Sequence, residues 1–461
     1  MILERLKFIG NGGKHDNHPT QPKPSLCAPK PRWHPTMEER KRMTTITPLG
    51  KRLALFFDGT WNKPESNTNV WRLALMLAEQ GEDGVPQLKF YDEGVGTHWF
   101  DRISGGAFGY GLSGNARLGY RWLMEHYNPG DEIFVFGFSR GAFTARSLTG
   151  VIARCGLLKP DAPMSFMQLY ERYQKGDKVR PIYELKHLHG QGEKNFNFEE
   201  KILLEYTYYH HNLIKMVGVW DTVGTLGVPL GNIPGFSRHT MGFHNTHLST
   251  IVQNSYQALA LDEERQPYWA VLWTNFIPTQ PNPVDVRHTD NRMIEQRWFA
   301  GAHCNVGGGY RNDLLPQRPL AWIQGKAHGC GLAFRSETVV NDSDLEMKPR
   351  DSYAEFLDGF WKIFKKRYVR WVMAGPVRKE AHLKGVRKIE TGWVETVNER
   401  IDLSVFQRCQ RYSDYRPPNL LEWAKRKGLN LENIIANPGN YLQFTAPVTS
   451  MGIESSVKMG V

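Results

Sequence analysis

The chain has few cysteines, no long apolar run and no internal repeat, and each absence removes a class of function. Five cysteines (Cys27, Cys155, Cys304, Cys330, Cys409) are odd in number, scattered and never in a C-x-x-C pair, which argues against a disulfide framework and a structural zinc. No run of about eighteen apolar residues occurs, so no transmembrane helix is expected. The opening Met1-Ile2-Leu3-Glu4-Arg5-Leu6-Lys7 carries charge where a secretory signal needs an apolar stretch. The expectation is a chain made in the cytoplasm without a signal peptide, which would need a route other than general secretion to act outside. Helix-turn-helix, zinc-knuckle and RNA-recognition signatures are also missing. The formal net charge of +11 over 461 residues still calls for an anionic partner. A phospholipid surface is therefore favoured and no nucleic acid is expected.

What is present is Gly137-Phe138-Ser139-Arg140-Gly141, a G-x-S-x-G sequence. The run Glu132-Ile133-Phe134-Val135-Phe136 leads into it as a strand, and Ala142 to Cys155 leads out as a helix. A strand–turn–helix of this kind forces the serine into a strained conformation and leaves no room for side chains at the elbow glycines Gly137 and Gly141. The hydroxyl would then stand at the amino end of a helix, where the dipole and the Arg140 N–H can stabilise an oxyanion.

Around this elbow the chain alternates strands and helices. Residues 1–47 are rich in Lys, Pro, His and Asn and read as a mobile arm. Strands are expected at 52–57, 88–91, 213–220 and 296–300, with helices at about 69–79 and 115–127. That alternation predicts an α/β fold, α/β-hydrolase-like, with a mostly parallel sheet flanked by helices and a helical C-terminal extension. The expected divisions are the arm, a catalytic domain over 48–335, and a mostly helical extension over 336–461 packed on the core as a candidate membrane-facing or lid region.

In that extension Phe356, Phe360, Ile363, Phe364, Tyr368 and Trp371 fall at helical spacing, with Lys362, Lys365, Lys366, Arg367 and Arg370 between them. One reading is an interfacial helix, with Phe360, Phe364 and Trp371 in the lipid and Lys362, Lys365, Lys366 and Arg367 at the phosphates. The other is a helix packed on the domain with a solvated basic face.

A serine nucleophile needs a base and an acid to orient that base. Asp221 follows the strand Lys215 to Trp220, and His303 follows Arg297 to Ala302, in the order Ser, Asp, His that this architecture uses. Asp262 or Glu263 could supply the acid instead, although a helical setting with Arg265 nearby suggests a structural ion pair. His239, His244 and His247 are loosely spaced and read as loop residues, not metal ligands. The loop Asp58-Gly59-Thr60-Trp61 could bring the N–H of Gly59 or Thr60 to the oxyanion, and Asp58 could hold a cation or brace the loop. Gly109 to Gly114 satisfies G-x-G-x-x-G, but no strand enters it, so a dinucleotide site is not expected. The chemistry requires no metal and no organic cofactor.

Phe57 to Asn62, Thr68-Asn69-Val70, Gly94-Val95-Gly96-Thr97, Gly137 to Arg146, Val219 to Gly224 and His303 to Tyr310 together resemble the catalytic domain of the type VI secretion lipase effectors. The resemblance covers about residues 50 to 330, with a weaker echo at Ser404-Val405 and Tyr415 to Leu420. It implies a phospholipase with the triad Ser139, Asp221 and His303. It also implies export by type VI secretion to the periplasm or membrane of rival bacteria, a secretion-machinery partner and a dedicated immunity protein. The chain departs from the family pattern twice: His303-Cys304-Asn305 stands where His-Ser-Asp is frequent, and Gln257 where a His is frequent.

Overall fold

Strand β1 (Arg52–Phe57) is apolar beyond its first residue and sends alternate side chains to opposite faces of a sheet. Leu53, Leu55 and Phe57 enter one core, Ala54 and Phe56 the other. A strand buried on both faces needs helices on both, which is the arrangement found. The computed structural model describes residues 50–59, 66–94, 114–223, 251–278, 294–355, 367–375, 377–382 and 389–446.

Among the described residues, β1 is joined by β2 (Gln87–Asp92), β3 (Glu132–Phe138), β4 (Ile214–Trp220), β5 (Val252–Ala260), β6 (Ile294–Phe299), β7 (Glu399–Asp402) and β8 (Thr445–Ala446). They form one sheet in the order β8-β7-β6-β5-β4-β3-β1-β2, and every pairing is parallel. Phe56 of β1 stacks on Phe136 of β3 with ring centroids 5.0 Å apart. Such a pair contributes about 0.5–1.5 kcal/mol beyond its area burial.

Helices α1 (Asn69–Met76), α2 (Gly114–His126), α3 (Arg140–Cys155), α4 (His303–Gly307) and α5 (Gln317–Gly329) cover the sheet. Ala116, Tyr120 and Leu123 of α2 and Ala142, Ala145 and Leu148 of α3 pack with Leu53, Leu55 and Phe57. Val70 and Leu73 of α1 and Leu320 and Ile323 of α5 pack with Phe56 on the opposite face. Between α3 and β4 the chain makes an excursion through helices Phe166–Gln174, Ile182–Gly190 and Phe198–Tyr206.

The carboxyl-terminal third is part of the sheet as well as a cover for it. Strands β7 and β8 extend the parallel edge, and Val377–His382 and Ile389–Thr396 form a small antiparallel sheet with Thr274–Pro278. Helices α6 (Leu403–Arg411), α7 (Pro418–Arg426) and α8 (Leu431–Ala436) close a third core with Leu259, Trp298 and Ile401. Where a mostly helical extension was expected, this region supplies strands as well as helices.

Two further expectations change. Residues 261–265 are a turn followed by irregular backbone, not helix, because β5 runs directly into them. Residues 367–371 are not helical either, so the proposed amphipathic helix does not reach Arg367, Arg370 or Trp371. Phe360, Lys362, Phe364, Lys365 and Lys366 lie outside the described residues, as do Thr60, the arm 1–47, His239, His244, His247 and the stretch 109–113. No helix among the described residues is long and apolar enough to cross a membrane.

Candidate functional site

The elbow forms as its glycines require. Ser139 takes φ 58° and ψ −119° between the end of β3 and the start of α3. A Cβ on Gly141 would stand 2.0 Å from the carbonyl oxygen of Phe57, and one on Gly137 would stand 2.5 Å from that of Gly141. Only glycine allows α3 to press against the ends of β1 and β3, and this holds the serine above the sheet.

Parallel strands bring their carboxyl ends together, and the site assembles there. Asp221 follows β4, the neighbour of β3, and His303 lies just beyond β6 at the start of α4. His303 Nε2 is 2.8 Å from Ser139 Oγ, and His303 Nδ1 is 2.6 Å from Asp221 Oδ2. All three side chains are buried. The imidazole is walled by the ring of Phe138 at 4.7 Å and by the edge of Tyr268 at 5.0 Å. Burial pushes His303 below its ordinary value, against the pull of Asp221 in the other direction. A neutral imidazole with Nδ1–H donated to Asp221 leaves Nε2 able to accept the serine proton.

Asp221 itself is held by more than the histidine. Burial opposes its ionisation, but Arg370 and then His303 outweigh burial and keep the carboxyl well below the usual carboxylate range. Arg370 donates from Nη1 to Oδ1 at 2.6 Å and from Nη2 to Oδ2 at 3.0 Å, and the N–H of Ala260 donates to Oδ1 at 3.0 Å. Arg370 was read from sequence as a cation on a basic helix face. It is instead buried, because its backbone is not helical at this point and its guanidinium reaches inward to the strand ends.

Residues 51–326 match the family described as "T6SS, Phospholipase effector Tle1-like, catalytic domain". The chain belongs to this family. Uncharacterized protein YEL023C of Saccharomyces cerevisiae is 26% identical over 319 residues, which is 60% of this chain and 43% of that protein. The chain thus spans less than half the length of that curated relative. Among solved structures it is similar to an uncharacterized protein from Pseudomonas aeruginosa, at 15% identity and TM-score 0.36 over 71% of this chain and 53% of that one. It is also similar to the Tle1 effector bound to the VgrG spike of the type 6 secretion system, at 16% identity and TM-score 0.31 over 58% and 53%.

Asp58, Thr68 and Asn69, which belong to two of the motifs named above, are structural braces in this chain. Asp58 accepts hydrogen bonds from the Gly59 N–H at 2.7 Å, Thr68 Oγ1 at 2.5 Å and Tyr91 OH at 2.9 Å, which ties β1, α1 and β2 together. The Gly59 N–H, foreseen as an oxyanion donor, is therefore directed at Asp58. Arg140 remains at the first turn of α3, beside Ser139. Asn69 donates to the carbonyls of Val306 and Pro316 at 2.9 and 3.0 Å, so α1 is fastened to the turn that carries His303.

Asp262 and Glu263 do not reach the imidazole. Asp262 accepts from the Gly301 N–H at 2.6 Å and from Tyr415 OH at 2.7 Å, bracing the approach to His303. Glu263 accepts twice from the Arg265 side chain, each at 2.8 Å, and once from the His303 backbone N–H at 3.2 Å. The Glu263–Arg265 ion pair expected from sequence is present, though on irregular backbone and not on a helix. The two departures from the family pattern are also accommodated. Asn305 accepts from Ala302 N–H and donates to Asp313 at 2.8 Å, while Gln257 bridges Thr222, the Val271 carbonyl and Gln296.

Two of the foreseen membrane-contact residues are described. Arg367 is half exposed but ion-paired to Glu264 and Asp351, and it lies 5.0 Å over the ring of Tyr353. Trp371 is 53% exposed, with Arg426 5.0 Å from its ring. Among the described residues no group of His, Cys, Asp and Glu side chains is arranged to hold a metal.

Proposed function

We propose that the protein is a serine hydrolase that cleaves acyl esters of phospholipids, with Ser139 as nucleophile, His303 as general base and Asp221 as the orienting acid. The unbroken hydrogen-bonded line from Ser139 Oγ through the imidazole to Asp221 carries this reading. His303 Nε2 takes the Ser139 proton as Oγ attacks the ester carbonyl, and Asp221 stabilises the imidazolium that results. The oxyanion forms at the amino end of α3, where the helix dipole and the Arg140 N–H favour negative charge. His303 then protonates the departing alkoxide, and water, deprotonated by the same nitrogen, releases the fatty acid from Ser139.

Membership of the phospholipase-effector family supports a phospholipid substrate and a type VI secretion setting. In that setting the chain would be carried by a component of the secretion apparatus, act at the membrane of a competing bacterium and be opposed by an immunity protein in its own cell. Division of labour along the chain follows: 48–335 would carry the chemistry, and 336–461 would contribute Arg370 and cover the sheet edge.

Mass spectrometry of phospholipid vesicles incubated with the wild-type protein and with Ser139→Ala tests chemistry and substrate together. Free fatty acid and lysophospholipid should accumulate only with the wild type. Equal release by the variant would remove Ser139 from the mechanism, and no release by either would remove the phospholipid.

A further inference from the structure

Each carboxylate beside His303 is paired with a guanidinium, and one of these guanidiniums comes from far along the chain. Asp221 faces Nδ1 from the end of β4, and Glu263 accepts from the His303 backbone at the end of β5. Arg265 pairs with Glu263 and lies 3.6 Å over the ring of Tyr268, which in turn packs edge-on against the imidazole. Arg370 pairs with Asp221. The remaining neighbours are Phe138 at the end of β3 and Cys304 on the histidine's own turn, with Arg140 of α3 near Tyr268. Two buried carboxylates beside the imidazole are thus each paired with a guanidinium.

Arg370 also has the geometry of a fixed clamp. Besides both oxygens of Asp221 it donates to the Ala260 carbonyl at 2.8 Å and to the Tyr268 carbonyl. One planar fork therefore joins the ends of β4 and β5 to the turn that carries Tyr268, which a lysine ammonium could not do. The segment bearing it is itself fastened: the Tyr368 N–H donates to the Glu264 carbonyl at 2.8 Å, and the Met373 N–H donates to Glu399 at 3.0 Å. Arg426 holds the carbonyl of Val372 at 2.7 Å. This segment lies beyond residue 326, where the family's catalytic match ends.

We infer that Arg370 is a positioning residue of the proposed hydrolase, clamping Asp221 and cancelling its charge so that His303 stays neutral, and able to act as a base, to lower pH. A lone buried carboxylate beside Nδ1 would favour the imidazolium. The same carboxylate held by a guanidinium orients the ring with much less pull on its proton. The catalytic unit of this chain therefore extends to residue 370.

The test uses the full chain with Arg370→Gln and Arg370→Lys. The His303 midpoint is read by NMR of histidine-labelled protein, its signal assigned by loss in His303→Gln. The rate of fluorophosphonate labelling of Ser139 and ester hydrolysis are followed over the same pH range. Arg370→Gln should raise the His303 midpoint by about one pH unit or more, the scale of removing a charge from a buried network, and move the acid limb of labelling with it. Arg370→Lys should leave the midpoint within a few tenths of a unit and lower kcat about tenfold or more with KM unchanged, since charge is kept and the clamp is lost. An unchanged midpoint in Arg370→Gln, or wild-type kcat in Arg370→Lys, overturns the inference. Should Arg370→Gln fail to fold, the lysine variant decides by its kcat. If wild-type Ser139 is inert to the probe, the hydrolase reading fails, while the NMR midpoints still decide what Arg370 does to His303.

Discussion

Replacing Asp221 by Asn removes one charge from a site where both carboxylate oxygens have hydrogen-bond partners, and two effects follow with different readouts. The carboxylate is fully buried and accepts from Arg370, His303 and the Ala260 N–H. An amide supplies one oxygen, so the Arg370 guanidinium keeps its charge in the interior with no counterion. Breaking a buried pair from one side costs about 3–5 kcal/mol, against a total stability on the order of 5–15 kcal/mol. The sign of the pH dependence is defined as well. Because the folded pKa of Asp221 lies below its unfolded value of 3.8, its contribution is present above that value and is lost as pH falls through the folded value. The stability gap between wild type and Asp221→Asn should therefore be constant near neutrality and close only in strong acid. Catalytically, the amide N–H₂ facing Nδ1 selects the tautomer with hydrogen on Nε2, which cannot accept the Ser139 proton. A loss of about 10⁴ in kcat is expected from such a tautomer error. Urea denaturation from pH 3 to 8 and hydrolysis of a chromogenic ester measure the two effects. Retention of more than about a tenth of the activity, or an unchanged urea midpoint at pH 7, would refute the assigned role of Asp221.

Other consequences are independent of that substitution. Gly141→Ala places a methyl 2.0 Å and 2.5 Å from the backbone oxygens of Phe57 and Asp58. It should cost about 1–3 kcal/mol or more and abolish fluorophosphonate labelling; normal labelling would mean that the elbow is not as described. Gln257→Leu leaves Thr222 and Gln296 short of partners in the interior of the sheet. A loss of about 1–3 kcal/mol per unsatisfied group should appear in urea melts, and wild-type stability would contradict the network. His303 sits below its ordinary value of 6.5, so the unfolded chain takes its proton first. Stability should fall as pH drops from 6.5 toward the folded value, and this slope should vanish in His303→Gln. Burial pushes the Cys304 thiol up to about 12. Iodoacetamide at pH 7.5 should therefore leave hydrolysis intact, and rapid inactivation with Cys304 alkylated would show the thiol to be reactive.

The strands and helices that were legible in sequence are those whose side chains state their own burial. β1, β3 and β4 are apolar runs, and the elbow helix follows its glycines directly. β5 was illegible for a physical reason. It carries Asn254, Ser255 and Gln257 through the middle of the sheet, and Asn254 and Gln257 find their partners far along the chain, in the Lys215 carbonyl, Thr222 and Gln296. Missing β5 also led residues 262–265 to be read as helical. β7 is too short to announce itself, and its pairing with β6 joins residues about a hundred positions apart in sequence.

The local chemistry of Gly137 to Gly141 determined by itself that a serine would stand strained at a helix start, because no side chain fits at either glycine. The order Ser139, Asp221, His303 was legible too, since each follows a strand and parallel strands deliver their ends to one edge. Tertiary structure alone decided what surrounds them. A residue whose sequence neighbours are basic and aromatic looks like a surface cation until the fold shows which carboxylate it meets, and charge compensation in a buried site acts through space. Arg370 reaches Asp221 across 149 positions of sequence, so no local pattern could have announced it.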